Sequence, residues 1–242
     1  MKLIFIRHAD PDYENDSLTE AGMREAEALI SRIPKMNGDY FYVSPLGRAK
    51  KTCEIAMRDV DKEVITLDFL QEFPARAYRL DDPEHARIVW DWLPSDWADK
   101  NYFYDPDTFH IHPVMEKAHT KEIYDDVIRQ FHELLIKHGY RKEGKVFKVE
   151  RENHDTLVFF CHFGLECVLL SYLINASPML LWHGFCATPS SVTEVYTEER
   201  EEGIASFRIA SFGDTSHLYE KGLEPSFSAR FCECYHDDTR HL

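Results

Sequence analysis

Twice in this chain an apolar run stops abruptly at a histidine. The first run is residues 3–6 (Leu-Ile-Phe-Ile), ending at Arg7-His8, and the second is residues 156–161, ending at His162. Short, nearly continuous apolar runs of this length read as buried strands. Each run passes into a helical pattern: apolar residues 164–174 directly after His162, and a helix signal from residue 17 after His8. Strands alternating with helices in this way belong to an α/β fold, in which residues just past the strand ends gather at one edge of the sheet.

The rest of the chain extends that alternation. Ser17-Leu18-Thr19-Glu20 has the form of a capping box, and Met23, Ala26, Leu29, Ile30 and Ile33 recur at helical spacing up to Pro34. Residues 39–44 predict a second strand, and Pro45 is suited to open a helix carrying Arg48, Thr52 and Ile55. A third strand is expected over residues 64–70. Between about 75 and 120 the periodicity fails: Trp90, Trp92, Trp97, Tyr102 and Phe103 stand among Pro83, Pro94, Pro106 and Pro113. This predicts an inserted, aromatic-rich cap rather than a sheet layer.

Residues 122–138 then read as an amphipathic helix closed by Gly139. Residues 145–150 and 156–161 suggest a hairpin around 151–155, and residues 190–197 with 204–211 suggest an antiparallel pair turning at Glu201-Glu202-Gly203. At 242 residues and 44% hydrophobic content, one α/β domain is expected over 1–242, with a tail after about 218.

Charge and cysteines narrow the function. With 43 acidic against 28 basic side chains the formal charge is −15, which argues against nucleic acid and against an anionic membrane surface. An anionic ligand must then be held by a local pocket. The N-terminal apolar run is too short for a signal peptide or membrane span, and the six irregularly spaced cysteines fit reduced thiols, so a cytoplasmic setting is expected. Cys232, Cys234, His236 and His241 do not have the spacing of a common zinc finger, and no metal or other cofactor is expected.

Phosphoryl transfer needs a nucleophile in line with the leaving oxygen and positive charge around the equatorial oxygens. His8 and His162 at strand ends, with Arg7 and Arg48, supply an imidazole nucleophile, two guanidinium forks and a further donor. The helix start at Phe163 adds backbone N–H groups where an anion can rest.

These residues fall in a recognisable order. Arg7-His8-Ala9, Leu18-Thr19 with Gly22, Ser44-Pro45-Leu46-Gly47-Arg48-Ala49 with Thr52, Leu70-Gln71-Glu72-Phe73, Cys161-His162-Phe163-Gly164 and Thr215-Ser216-His217-Leu218 together resemble the motifs of the histidine phosphatases, in their phosphoglycerate mutase-like branch. The resemblance implies a three-layer α/β/α sandwich with a mostly parallel central sheet. It also implies a phosphohistidine at His8, phosphate contacts from Arg7, Arg48, His162 and Asn15, and Glu72 as general acid, with Asp10 in reserve. Arg76, Tyr78 and Arg79, directly after the acid, are the candidates for substrate choice.

The activity this implies is metal-independent hydrolysis of a small phosphorylated metabolite. A phosphoglycerate-type mutase is the alternative, and a non-catalytic anion-binding or partner-binding module is a more distant one. A mutase usually carries extra basic residues in its lid, whereas this cap is aromatic and acidic.

Overall fold

The computed structural model describes residues 1–79, 81–226 and 234–236. In chain order it contains β1 (Lys2–Arg7), β2 (Pro11–Asp12), β3 (Ser17–Leu18), α1 (Glu20–Leu29), β4 (Tyr40–Val43), α2 (Gly47–Ala56) and β5 (Val64–Thr66). The cap follows as β6 (Arg76–Ala77), β7 (Arg87–Ile88), α3 (Pro94–Trp97) and α4 (Pro113–Lys117). Then come α5 (Thr120–Lys137), β8 (Tyr140–Glu143), β9 (Val146–Val149), β10 (Thr156–Cys161), α6 (Phe163–Ile174), α7 (Pro178–Gly184), β11 (Val192–Glu201), β12 (Ile204–Asp214) and α8 (Ser216–Glu220).

One eight-stranded sheet in the order β5-β4-β10-β1-β11-β12-β9-β8 forms the centre. Alternation along β1 sorts its two faces. Ile4 and Ile6 join Leu29, Ala49 and Cys53 beneath α1 and α2, whereas Leu3 and Phe5 join Phe131, Leu165 and Leu169 beneath α5 and α6. Helices therefore cover both faces. Phe5, Phe159 and Tyr42 are directly paired across β1, β10 and β4, and their rings stack 5.1 and 5.2 Å apart.

The sheet is parallel only from β5 to β1, and every pairing from β1 to β8 is antiparallel. The expectation of a mostly parallel sheet thus holds for the half with crossover helices. The expected hairpin between 145–150 and 156–161 does not form: β9 pairs with β8 and β12, while β10 lies between β1 and β4. The reason is burial. Every residue of β10 is buried, which suits a central strand, whereas β8 and β9 alternate in exposure and turn at Gly144 with φ +61°.

Smaller differences have local causes. Thr19, not Ser17, caps α1 by accepting the Gly22 N–H, because Ser17-Leu18 pairs with Pro11-Asp12. The helix expected from Pro45 starts at Gly47, whose N–H is capped by Asp16 Oδ2 at 2.6 Å. The third strand ends at Thr66 and gives way to a 3₁₀ turn at Asp68–Leu70. Among the described residues no helix is long and apolar enough to cross a membrane. Cys232 and His241 lie outside the described residues.

Phe159 is fully buried in the ring stack that ties three strands together. Phe159→Ala should cost about 3–5 kcal/mol, read as a lowered urea midpoint with an unchanged m-value.

Candidate active site

Three strands deliver the site by their register. Arg7 pairs with Cys161 and Phe160 with Val43, so His8, His162 and Ser44 emerge near one level at the carboxyl ends of β1, β10 and β4. This is the edge of an open α/β sheet where ligands bind. A cavity of about 1140 Å³ opens there, with Arg7, His8, Arg48, Glu72 and Phe163 on its wall.

His8 is 2% exposed, and its Nδ1 lies 2.8 Å from the Ala9 carbonyl oxygen. A carbonyl can only accept, so Nδ1 carries the proton and the lone pair of the neutral ring is on Nε2. Burial and the neighbouring Arg7 charge push the His8 pKa well below the ordinary histidine value, which keeps the ring neutral. The Ser190 N–H donates to the His8 carbonyl oxygen at 3.1 Å.

His162 lies beside it, with ring centroids 5.0 Å apart, and is fully buried. Its Nε2 bonds Ser44 Oγ at 2.8 Å, and Nδ1 is buried without a hydrogen-bond partner among the described residues. Burial, with His8 and Arg48 close by, lowers its pKa well below the usual value too.

The two arginines are anchored differently. Arg7 donates from Nη1 to the Ala187 carbonyl oxygen at 2.6 Å and stands 5.9 Å from the Phe163 ring. Arg48 donates to Asp16 Oδ1 at 2.6 Å and stands 5.4 Å from the Tyr13 ring. Asp16 has φ 45°, and its carboxylate bonds both Arg48 and the Gly47 N–H. Burial opposes ionisation there, but those hydrogen bonds win and hold its pKa below the usual aspartate value. No pattern in the sequence marks Asp16 for this task, since the contact spans 32 residues of chain.

Glu72 accepts from the Leu165 N–H at 2.9 Å, the Gly164 N–H at 3.3 Å and its neighbour Phe73 at 2.8 Å. Two of the N–H groups at the α6 start, expected to hold an anion, are thus taken by this carboxylate, because the positive helix end attracts the nearest negative charge. Burial raises the Glu72 pKa against the pull of those donors and of Arg7, favouring the protonated acid.

Other expected residues lie elsewhere. Asn15 is exposed and donates from Nδ2 to Asp12 Oδ2 at 2.7 Å, off the cavity wall, because Asp12 draws it into a local turn. Asp10 faces α1, where its carboxylate accepts from the Thr19 hydroxyl at 2.6 Å. Arg76 lines the cavity, whereas Tyr78 and Arg79 do not; Arg79 is paired with Asp81 and Asp91 within the cap.

The histidine phosphatase superfamily (branch 1) model matches residues 3–209, and the chain belongs to that family. A stretch of 73 residues is 34% identical to the 2,3-bisphosphoglycerate-dependent phosphoglycerate mutase of Thermoplasma acidophilum; it covers 26% of this chain and 36% of that protein, so about a third of the relative's length is spanned.

By fold the chain is similar to a mutant phosphoserine phosphatase from Entamoeba histolytica in complex with phosphoserine (TM-score 0.60, 21% identity, 90% of this chain and 98% of that one). It is also similar to mycobacterial glucosyl-3-phosphoglycerate phosphatase complexed with VO3 (TM-score 0.56, 16% identity, 88% and 98%).

One carboxylate behind the site escaped the sequence reading. Glu166, on the first turn of α6, is 1% exposed, and its Oε1 has no partner among the described residues. The available signal was a lone acid inside an otherwise apolar helix (FGLECVLLSYLI). Burial lifts its pKa from 4.5 to about 7, with Glu72 adding to the rise and the Thr193 hydroxyl and Arg7 opposing it.

Between those two values the folded protein holds a proton that the unfolded chain has released, so stability falls as pH rises from about 4.5 to 7. The contribution is on the order of 3 kcal/mol. Glu166→Gln should therefore flatten the decline in unfolding free energy measured by urea titration between about pH 5 and pH 7.5; parallel profiles would show that Glu166 does not titrate there.

Proposed function

We propose that this chain is a phosphomonoester hydrolase that works through a phosphohistidine at His8 and needs no metal ion. The observation that carries this is the His8 hydrogen bond to the Ala9 carbonyl, which leaves a neutral Nε2 lone pair in a cavity walled by Arg7, Arg48 and Glu72, whose pKa burial raises. Two guanidiniums on that wall suit a phosphate dianion and place positive charge where phosphoryl transfer needs it.

In the first step His8 Nε2 bonds to phosphorus while the ester P–O bond breaks, and Glu72 gives its proton to the departing oxygen. In the second step water attacks phosphorus and its proton returns to Glu72. The P–N bond breaks, releasing phosphate and restoring neutral His8. Buried His162, held by Ser44 beside the nucleophile, can bond a phosphoryl oxygen through Nδ1 once phosphate is seated. The site lies at a sheet edge, with no requirement for a compartment beyond access to a small phosphorylated metabolite.

The mutase reading draws support from the 73-residue likeness to a phosphoglycerate mutase. Hydrolysis is favoured because a mutase must retain and reorient a second strongly anionic group. Among the described residues of this cavity wall, the arginines and lysines beyond Arg7 and Arg48 reduce to Arg76, and much of the outer wall is aromatic.

Rapid quenching during turnover should trap an acid-labile, base-stable phosphoenzyme that is absent from His8→Ala, and excess EDTA should leave the rate unchanged. Label retained on His8→Ala would remove the nucleophile assignment. In single-turnover assays Glu72→Gln should slow phosphorylation by alkyl phosphates ~10²- to 10⁴-fold, with a distinctly smaller loss on p-nitrophenyl phosphate, whose leaving group needs no proton. Equal losses on both would move the acid role away from Glu72.

A further inference from the structure

Beyond the phosphoryl end, the cavity changes character, and Gly164 marks the change. A Cβ at this glycine would stand 2.6 Å from the six-membered ring edge of Trp90 and 2.8 Å from Glu72 Oε1. The acid and the tryptophan edge therefore flank one point. A leaving oxygen protonated by Glu72 departs directly along an aromatic wall.

That wall is preformed. Trp90, Trp182 and Phe73 pack ring against ring, with centroids 5.7, 5.7 and 6.2 Å apart, and they come from the cap, α7 and the segment following Glu72. None of the three is more than 9% exposed, so their positions are fixed by neighbours on the core side. Farther out, Phe185 on the cavity rim is 47% exposed and is backed by Phe212 at 5.0 Å. A cavity of about 1140 Å³ has room for much more than a three-carbon ester. A short polar leaving group would leave the exposed Phe185 ring against water.

His183 also lines this outer half, but its arginine and lysine complement is narrow among the described residues. Arg79 is tied to Asp81 and Asp91, and Arg87 to Asp82, but Arg76 on the cavity wall makes no ion pair among the described residues. In a chain of net charge −15, one uncompensated guanidinium beside the rings suits one further anionic group and disfavours a polyanion.

Building on the hydrolase reading above, we infer that the substrate is a phosphomonoester whose leaving group carries an aromatic or heteroaromatic ring against the Trp90–Trp182 wall, with a single further anionic group reaching Arg76. The ring supplies affinity by leaving water for this wall, and the anion sets its orientation. The bond changes are those already given, with the ring-bearing alcohol as the released product.

The test compares esters with matched primary-alkyl leaving oxygens: n-propyl, benzyl, 2-naphthylmethyl and 4-carboxybenzyl phosphate, beside O-phosphoserine. Benzyl phosphate should exceed n-propyl phosphate in kcat/KM by about 10- to 100-fold, as expected for burying a phenyl ring. The carboxybenzyl ester should be better still. Arg76→Gln should lower the carboxybenzyl ester more than the benzyl ester, and Phe185→Ala should lower the naphthylmethyl ester more than n-propyl phosphate. Both substitutions fall on exposed side chains, where folding is least at risk.

Turnover of p-nitrophenyl phosphate together with equal or better use of n-propyl phosphate or O-phosphoserine would overturn this inference and leave the hydrolase reading standing. Absence of turnover on every ester would instead overturn the hydrolase reading. In that case calorimetric binding of the same esters to His8→Ala still decides the inference: benzyl phosphate binding no tighter than n-propyl phosphate overturns it, and tighter binding upholds the ring site.

Discussion

The parallel pairing of β1 with β10, and of β10 with β4, is the constraint on which the rest of the molecule depends. One-residue slippage of either pair would turn every side chain of a strand to the opposite face. It would also part His8 from His162. The register is held by burial on both faces, since Ile4 and Ile6 serve one core while Phe5 and Phe159 serve the other. The ring stack of Phe5, Phe159 and Tyr42 therefore fixes the level at which the two histidines leave the sheet, although no atom of it reaches the cavity wall.

Burial then sets the chemistry of what the register has assembled. The same loss of water that lowers the pKa of His8 raises that of Glu72, because in each case the charged form is the one disfavoured. A neutral imidazole and a carboxyl whose pKa is raised thus share one wall. The guanidiniums are anchored separately, Arg7 by the Ala187 carbonyl and Arg48 by Asp16. Positive charge is thus local in a strongly acidic chain, and a phosphate is drawn to one place.

The cap completes the cavity rather than merely covering it. Trp90 closes against Gly164 and Glu72, and the α7 ring Trp182 closes against Trp90. Because Gly164 has no side chain, the sheet edge and the cap meet without a gap, and acid and aromatic wall become one surface. The cap's own ion pairs, Arg79 with Asp81 and Asp91 and Arg87 with Asp82, keep its charges occupied with one another and leave Arg76 facing the cavity.

The α/β class, the two histidine-bearing strand ends and the arginines beside them were legible in the sequence. These are local properties: apolar runs that can only be buried strands, a helical period that follows them, and prolines with aromatics that interrupt both. The tertiary structure alone decided the strand neighbours, so that residues 145–150 pair with β8 and β12 instead of with β10.

It also decided that Asp16 holds Arg48, that Asn15 turns to Asp12, that Glu72 occupies the α6 start, and that Trp182 meets Trp90. Most of these contacts join residues far apart in the chain, and even the Asn15 turn depends on which neighbouring carboxylate lies within reach. Pairing and charge partnership depend on which surfaces meet when the layers close. Periodicity specifies which face of an element is apolar but carries no record of what will cover it.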